Sequence, residues 1–533
     1  MDCMDKAKHI IWIVVDSMRS YVTGKDDRDK LDVMNELALE TTEFANTICS
    51  APSSLMSIGS TMSSLPSYYI GVNYKDFKYN TQLFPSFPHI WKDAGNHFVS
   101  FLNSLETREV FDGLLSPVSK EYYPKGLSPL EKSWPNAKVT EVLQNYLAGN
   151  TFETPTCFFV WYNIRLDPTT SQEVANAVNM FKELNLWDDS FCIVTADHGY
   201  LDPKRGYTPE RLRELGLTHD ILVTEDQIKI PLCIKYPEIP IQNIKETVSS
   251  LDITPTLLDY FGLSYPSDSL LTMYGESLLS AIEGDSQSRK KIKKRLIRAD
   301  GRFIFQPGRV TAIRDETYKY VYHHDERKET FFDISKDFFE EHDLSDSLRE
   351  HGVESEYKNF QKFFRKSEAE VEEFILMNLF DRFKKQISQE VALGDVDSVF
   401  ILQMCDSRGF NSFIKICSRM FSGSSIHTES TLSLDIPANK YAIKIAIYDH
   451  TFSERKQECL DYFKKIKAKH DFLLNINIEN MEEQHSGIGA LIKRIKRELK
   501  NVKSNPSKIF TYNRRLSAFG RQLVVALKSS FGK

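Results

Sequence analysis

Two apolar patterns alternate along the first half of the chain. HIIWIVVDS (9–17) is a continuous apolar run that ends on Asp16, and such a run predicts a strand buried on both faces. TCFFVWYNI (156–164), SFCIVTADHG (190–199) and IPLCIKYP (230–237) repeat the pattern. Between them lies QEVANAVNMFKELNL (172–186), whose apolar positions recur at three and four, the period of an amphipathic helix. Strands of the first kind alternating with helices of the second predict an α/β core, a mostly parallel sheet flanked by helices. Ligands of such sheets bind beyond the carboxyl ends of the strands. Asp16, Asp197 and His198 fall at such ends.

The pattern changes after residue 346. Residues 347–395 are charged, helical in period and without a strand signal, which predicts a helical linker. SVFILQMCD (398–406), YAIKIAIYDH (441–450) and DFLLNINIE (471–479) read as strands, and 453–470 as a helix. The expected organisation is therefore a domain at 1–346, the linker at 347–395 and a second, smaller α/β domain at 396–533. At 533 residues the chain is too long for one ordinary core in any case.

Composition adds little until the tail. The net charge of −6 names no partner, and the eight cysteines form no CxxC pair or metal-finger spacing. Scattered thiols in apolar runs fit a reducing, cytoplasmic compartment. The apolar run Ile10–Val15 is too short for a secretory core, and a membrane span needs about 20 apolar residues. A soluble or peripheral protein is expected. From Lys493 to Lys533 the chain is strongly basic, with Glu498 the lone acid. Read as an amphipathic helix, IFTYNRRLSAFGRQLVVALKSSF (509–531) suits an anionic membrane surface. Nucleic acid is not expected, because no recognition fold accompanies the charge.

Four pieces carry candidate chemistry: Asp16; the serine-rich ICSAPSSLMSIGSTMSSLPSYYIGV (48–72); TADHG (195–199); and His219. A carboxylate and an imidazole adjacent at a strand end are good ligands for a divalent ion. In this order and spacing the four resemble the alkaline phosphatase superfamily, in its sulfatase-like branch. FPHIWKDAGNHFVSFLN (87–103), SSLDITPTLLDYFGL (249–263), YGESLLSAI (274–282) and the strand pair within 312–346 resemble further segments of that family. The likeness covers 8–346 and stops there.

The resemblance implies an alkaline-phosphatase-like core in which Asp16, Asp197, His198 and the nucleophile hold one divalent metal, with Ca, Mn, Mg and Zn all open. Aligning Ala51-Pro52-Ser53-Ser54 with the family pattern puts the nucleophile on Ser54; a competing placement puts it on Ser50. Cys49 lacks a proline two residues on and no arginine follows Pro52-Ser53, so a plain serine is favoured over formylglycine. His219 falls where the family has a histidine that binds an oxyanion or protonates the leaving group. Arg165, Lys204 and Arg205 are the nearest candidate cations for the transferred group. LDPTTS (166–171) lacks the family's histidine, and the residues of a second metal site have no counterpart. The expected activity is hydrolysis or transfer of phosphate or sulfate esters through a covalent seryl intermediate, the substrate being a small molecule or an envelope glycan or its lipid-linked precursor. The alternatives are an arylsulfatase-type enzyme and a degenerate binding protein on the same fold.

Overall fold

In the computed structural model, the described residues are 6–20, 32–70, 85–111, 113–115, 118–125, 133–163, 169–202, 205, 222–266, 271–302 and 308–388, with four strands beyond. His219, Arg165, Lys204, the expected helix at 453–470 and the basic tail lie outside them. The chain divides into two compact units, Met1–Ile304 with Gly308–Phe363, and Phe305–Pro307 with Phe364–Lys533.

The first unit is built on a large sheet of β1 (His9–Asp16), β2 (Thr42–Ile48), β3 (His97–Phe101), β4 (Lys120–Tyr122), β5 (Thr156–Asn163), β6 (Ser190–Thr195), β7 (Lys229–Lys235), β8 (Gln242–Ile244) and β9 (Val248–Ser249). Its order is β4-β3-β5-β1-β6-β7-β2-β8, with β9 also on β2. The alternation of β1 explains its central place. Ile11, Ile13 and Val15 enter one core with Val160, Tyr162, Phe181 and Trp187. Ile10, Trp12 and Val14 enter the other with Trp91, Phe159 and Ile193. A strand clad on both faces has no amphipathic period, which is why the run is continuous.

The four apolar runs of the first domain all form strands, with helices such as Thr170–Glu183 between them. One runs the other way from the rest: β7 is antiparallel to both β6 and β2. A fully apolar strand reads the same in either direction, so its sequence does not reveal this. The consequence is that Lys229, the first residue of β7, lies at the same end of the sheet as the carboxyl ends of β1 and β6.

A second sheet, β10 (Ile297–Gly301), β11 (Val310–Arg314), β12 (Tyr318–His323) and β13 (Lys328–Asp333), is an antiparallel meander. The amide of Asp300 donates to the carbonyl of Ser50 (2.9 Å), tying this meander to the strand-to-helix turn of the serine-rich segment. The helix Glu354–Ser388 follows, with Tyr357 and Phe360 edge-on to Phe331 at 5.4 and 5.5 Å between ring centres. The second unit contains β14 (Ser398–Gln403), β15 (Ser425–Glu429), β16 (Ala442–Tyr448) and β17 (Leu473–Asn477), all parallel, in the order β15-β14-β16-β17. Among the described residues no helix is long and apolar enough to cross a membrane.

Candidate active site

Strand register assembles the site. Asp16 is opposite Asn163 at the end of β5, and β6 ends at Thr195 opposite Val14. The chain leaving β6 therefore reaches Asp197 and His198 beside Asp16. Gly199 completes the turn: a Cβ there would lie 2.1 Å from the carbonyl oxygen of Asp226, so only glycine lets its amide donate to Gln227 (2.7 Å).

Ser17 follows Asp16 in the left-handed region, at φ 65°. This is costly for a residue with a Cβ, by about 1 kcal/mol, and the turn uses it. The Ser17 amide donates to Asp197 Oδ1 (3.1 Å) and its hydroxyl to Asp16 Oδ1 (2.7 Å). Asn163 donates from Nδ2 to Asp16 Oδ2 (2.8 Å), and Asn136 holds Asn163 by exchanging two bonds with its backbone. Sequence reasoning missed Ser17 and Asn163. A polar residue ending the buried TCFFVWYN strand was the available signal for the second.

The serine-rich segment resolves into a turn and a helix, Ser54–Ser63. Pro52 disfavours a helical conformation at Ala51, Ser53 is extended, and the helix starts at Ser54. The helix is buried along Met56–Ser63, and its serines are what allow the close packing. Ser57 donates to the carbonyl of Asp197 (2.5 Å) and Ser63 to that of Gly59 (2.7 Å). Ser54 Oγ lies 3.3 Å from His198 Nε2. Ser50 is buried instead beneath the turn, where no hydrogen bond joins its hydroxyl to the described residues and its carbonyl accepts from Asp300 and Ser67. The geometry thus brings Ser54, and not Ser50, to the strand-end cluster. Cys49 is fully buried, and burial pushes its thiol far above the usual range, the opposite of a nucleophilic environment.

Asp16, Asp197 and His198 offer ligand atoms that all lie within 4.8 Å of one another. A divalent cation fits them on two grounds. Asp197 Oδ1 accepts the amides of Ser17 and His198, while Oδ2 is buried and accepts no hydrogen bond from the described residues. His198 Nδ1 faces the Gly199 carbonyl at 2.7 Å and must donate to it, so Nε2 carries the lone pair, beside the Ser54 hydroxyl. That lone pair sits 3.3 Å from Asp197 Oδ2 and 3.9 Å from Asp16 Oδ1. Oxygen and imidazole donors converging on one point are a cation's ligand set.

Arg205, expected as a candidate for the transferred group, is committed elsewhere. Its Nε donates to Asp226 (2.8 Å) and its Nη1 to the Phe339 carbonyl (2.5 Å), and its side chain is buried. It is a structural ion pair. Glu225 is held in the same way by Arg314 and Lys319; burial pushes its carboxyl up, but the two cations prevail and hold it at about 2.

The mostly parallel sheet flanked by helices, with the separate antiparallel meander, is an alkaline-phosphatase-like fold. Residues 214–367 match the model of the family N-sulphoglucosamine sulphohydrolase, C-terminal. The fold is similar to that of a 2-O GAG sulfatase, at TM-score 0.53 and 14% identity, over 68% of this chain and 92% of that one. It is equally similar to the phosphonate monoester hydrolase of Agrobacterium radiobacter, at TM-score 0.51 and 14% identity, over 68% and 96%. The family model covers less than a third of the chain, and the solved structures show a fold that this chain shares with a sulfatase and a phosphonate monoester hydrolase.

Proposed function

We propose that the chain hydrolyses phosphate or sulfate esters, with Ser54 as nucleophile and Asp16, Asp197 and His198 as the ligands of one divalent cation. The observation that carries the reading is the position of Ser54. Its hydroxyl opens a ten-residue helix and lies 3.3 Å from the imidazole nitrogen that the two carboxylates face. A bound cation there supplies Lewis acidity, lowering the pKa of a neighbouring hydroxyl and neutralising ester oxygens.

The residues of the chain do the rest. Amides of the helix's first turn, which lack intrahelical acceptors, point at an incoming anionic group. Ser54 Oγ attacks phosphorus or sulfur in line; the bond to the leaving oxygen breaks, and a seryl ester remains. His219 is the proposed donor of the proton to that oxygen. Water then cleaves the seryl ester; an acceptor hydroxyl in its place would make the reaction a transfer. The buried thiol of Cys49 favours serine chemistry over formylglycine, and so phosphate esters over sulfate esters. The sulfatase fold supports a glycan ester as substrate, and the basic tail supports its presentation at an anionic membrane face. The free cysteines among the described residues, Cys49, Cys157, Cys192 and Cys233, fit a reducing compartment.

The test is an aryl phosphate, an aryl phosphodiester and an aryl sulfate, each assayed with Mn²⁺, Mg²⁺, Ca²⁺ and Zn²⁺. Turnover should vanish in Ser54→Ala and persist in Ser50→Ala. Turnover that survives in Ser54→Ala refutes the assignment. For the tail, anionic vesicles should bind the full chain and release a chain truncated at residue 505.

A further inference from the structure

The buried cations around β7 have an uneven set of partners. Arg19 pairs with Asp202, Arg205 with Asp226, Arg314 with Glu225, and Lys319 with Glu225 and Glu340. Lys229 is 7% exposed, yet among the described residues its Nζ makes neither a hydrogen bond nor an ion pair. A buried ammonium with no carboxylate in direct contact is expensive. Burial, and the Arg314 guanidinium nearby, lower its pKa to about 8, with Glu225 opposing them. At neutral pH it is still mostly charged.

Lys229 opens into a cleft of about 770 Å³ that lies between the edge of the large sheet and the segment after β13. Its buried floor is Lys229, Arg314 and Asn46, which carry positive charge alone. Three of the acids at its sides are engaged. Glu43 accepts from Asn243 (2.6 Å), Glu316 pairs with Lys293 (3.2 Å), and Asp337 accepts the amide of His342 (2.8 Å). Lys245 and Lys336 stand at the same cleft. None of Asp16, Ser54, Asp197 and His198 lines it, so the feature is separate from the candidate active site.

We propose that this cleft is a second ligand site, in which Lys229 binds the oxyanion of a small molecule, a carboxylate, phosphate or sulfate group. The ligand supplies the direct contact partner that Lys229 lacks among the described residues. Charge-assisted bonds to a buried ammonium are the strong kind, and the cleft's volume leaves room for a sugar-sized body behind the anionic group.

The experiment uses the full chain, stripped of divalent cations by a chelator so that Asp16, Asp197 and His198 hold no metal-bound anion. Calorimetric titration with phosphate, sulfate and glucuronate should show saturable binding of at least one of them. Lys229→Met should weaken it by about ten-fold or more, and Lys229→Arg should restore it to within about three-fold. No saturable binding by the wild-type chain, or equal affinity in Lys229→Met, overturns the proposal. A second readout needs no variant. An amine-selective reagent at pH 8 should label Lys229, and a saturating concentration of the preferred anion should slow that labelling by about ten-fold; unchanged labelling overturns the proposal as well.

Discussion

Buried carboxylates occur in two settings in this chain, and their surroundings differ in kind. Asp300 receives Arg298 (2.8 and 2.9 Å) and Thr311 (2.7 Å), and Arg314 grips both oxygens of Glu225 at 3.0 Å. Both groups are held below the ordinary carboxylate range by those cations, although burial pushes each upward. Asp197 is as deeply buried, but among the described residues one oxygen meets amides and the other accepts no hydrogen bond. Among the described residues its ion-pair neighbour is His198, whose nearest nitrogen is the lone-pair one. The first setting is complete within the chain and works as structure. In the second, Asp197 turns the other oxygen toward the point where ligand atoms of Asp16 and His198 also converge, a donor set that suits a divalent cation.

The contrast is broken most severely at Asp197. Asp197→Ala should lower ester turnover by about 10³-fold or more and remove divalent-cation binding with it, read by kinetics and calorimetry on the same sample. In the metal-free protein the same change should leave the melting temperature level or raised, since an uncompensated buried charge has gone. A metal-free protein that melts far lower would make Asp197 a structural group like Glu225.

Arg314→Met should do the reverse. Leaving Glu225 buried without its main partner costs about 3–5 kcal/mol of stability, visible in denaturant unfolding. Proton linkage sharpens the point. The folded-state pKa of Glu225 is depressed from 4.5 to about 2, so its contribution is present above pH 4.5 and is lost as pH falls toward 2. It amounts to roughly 3 kcal/mol, and acid unfolding of Arg314→Met should lack that component.

The smallest expected effect is at Asn163. Asn163→Ala removes the bond that orients Asp16 and should weaken cation affinity by about 10–100-fold, with stability within about 1 kcal/mol of wild type. Equal affinity would mean that Ser17 alone orients the carboxylate.

These cases also show what was legible in the sequence. Asp16, Asp197 and His198 could be read because apolar strands announce their own ends, and the ends of parallel strands converge. The alternating strands and helices of the first domain followed from the same pattern. Asn163 acts through its register opposite Asp16, and register is a property of two strands that neither sequence states alone. Arg205 was misjudged for a similar reason: its partners Asp226 and Phe339 lie far along the chain. β2, β10 and β15 escaped notice because TEFANTI, IRADG and SIHTE are short and polar in part. In the serine-rich segment every serine is alike in sequence, and the start of the helix at Ser54 singles one out.

The central claim is that three side chains ligate one divalent cation, and anomalous diffraction from Mn²⁺-soaked crystals tests it most directly. The account predicts a peak bounded by Asp16, Asp197 Oδ2 and His198 Nε2, lost in Asp197→Ala. The absence of a peak there, with manganese found instead at the exposed cluster Asp337, Glu341 and His342, would contradict it.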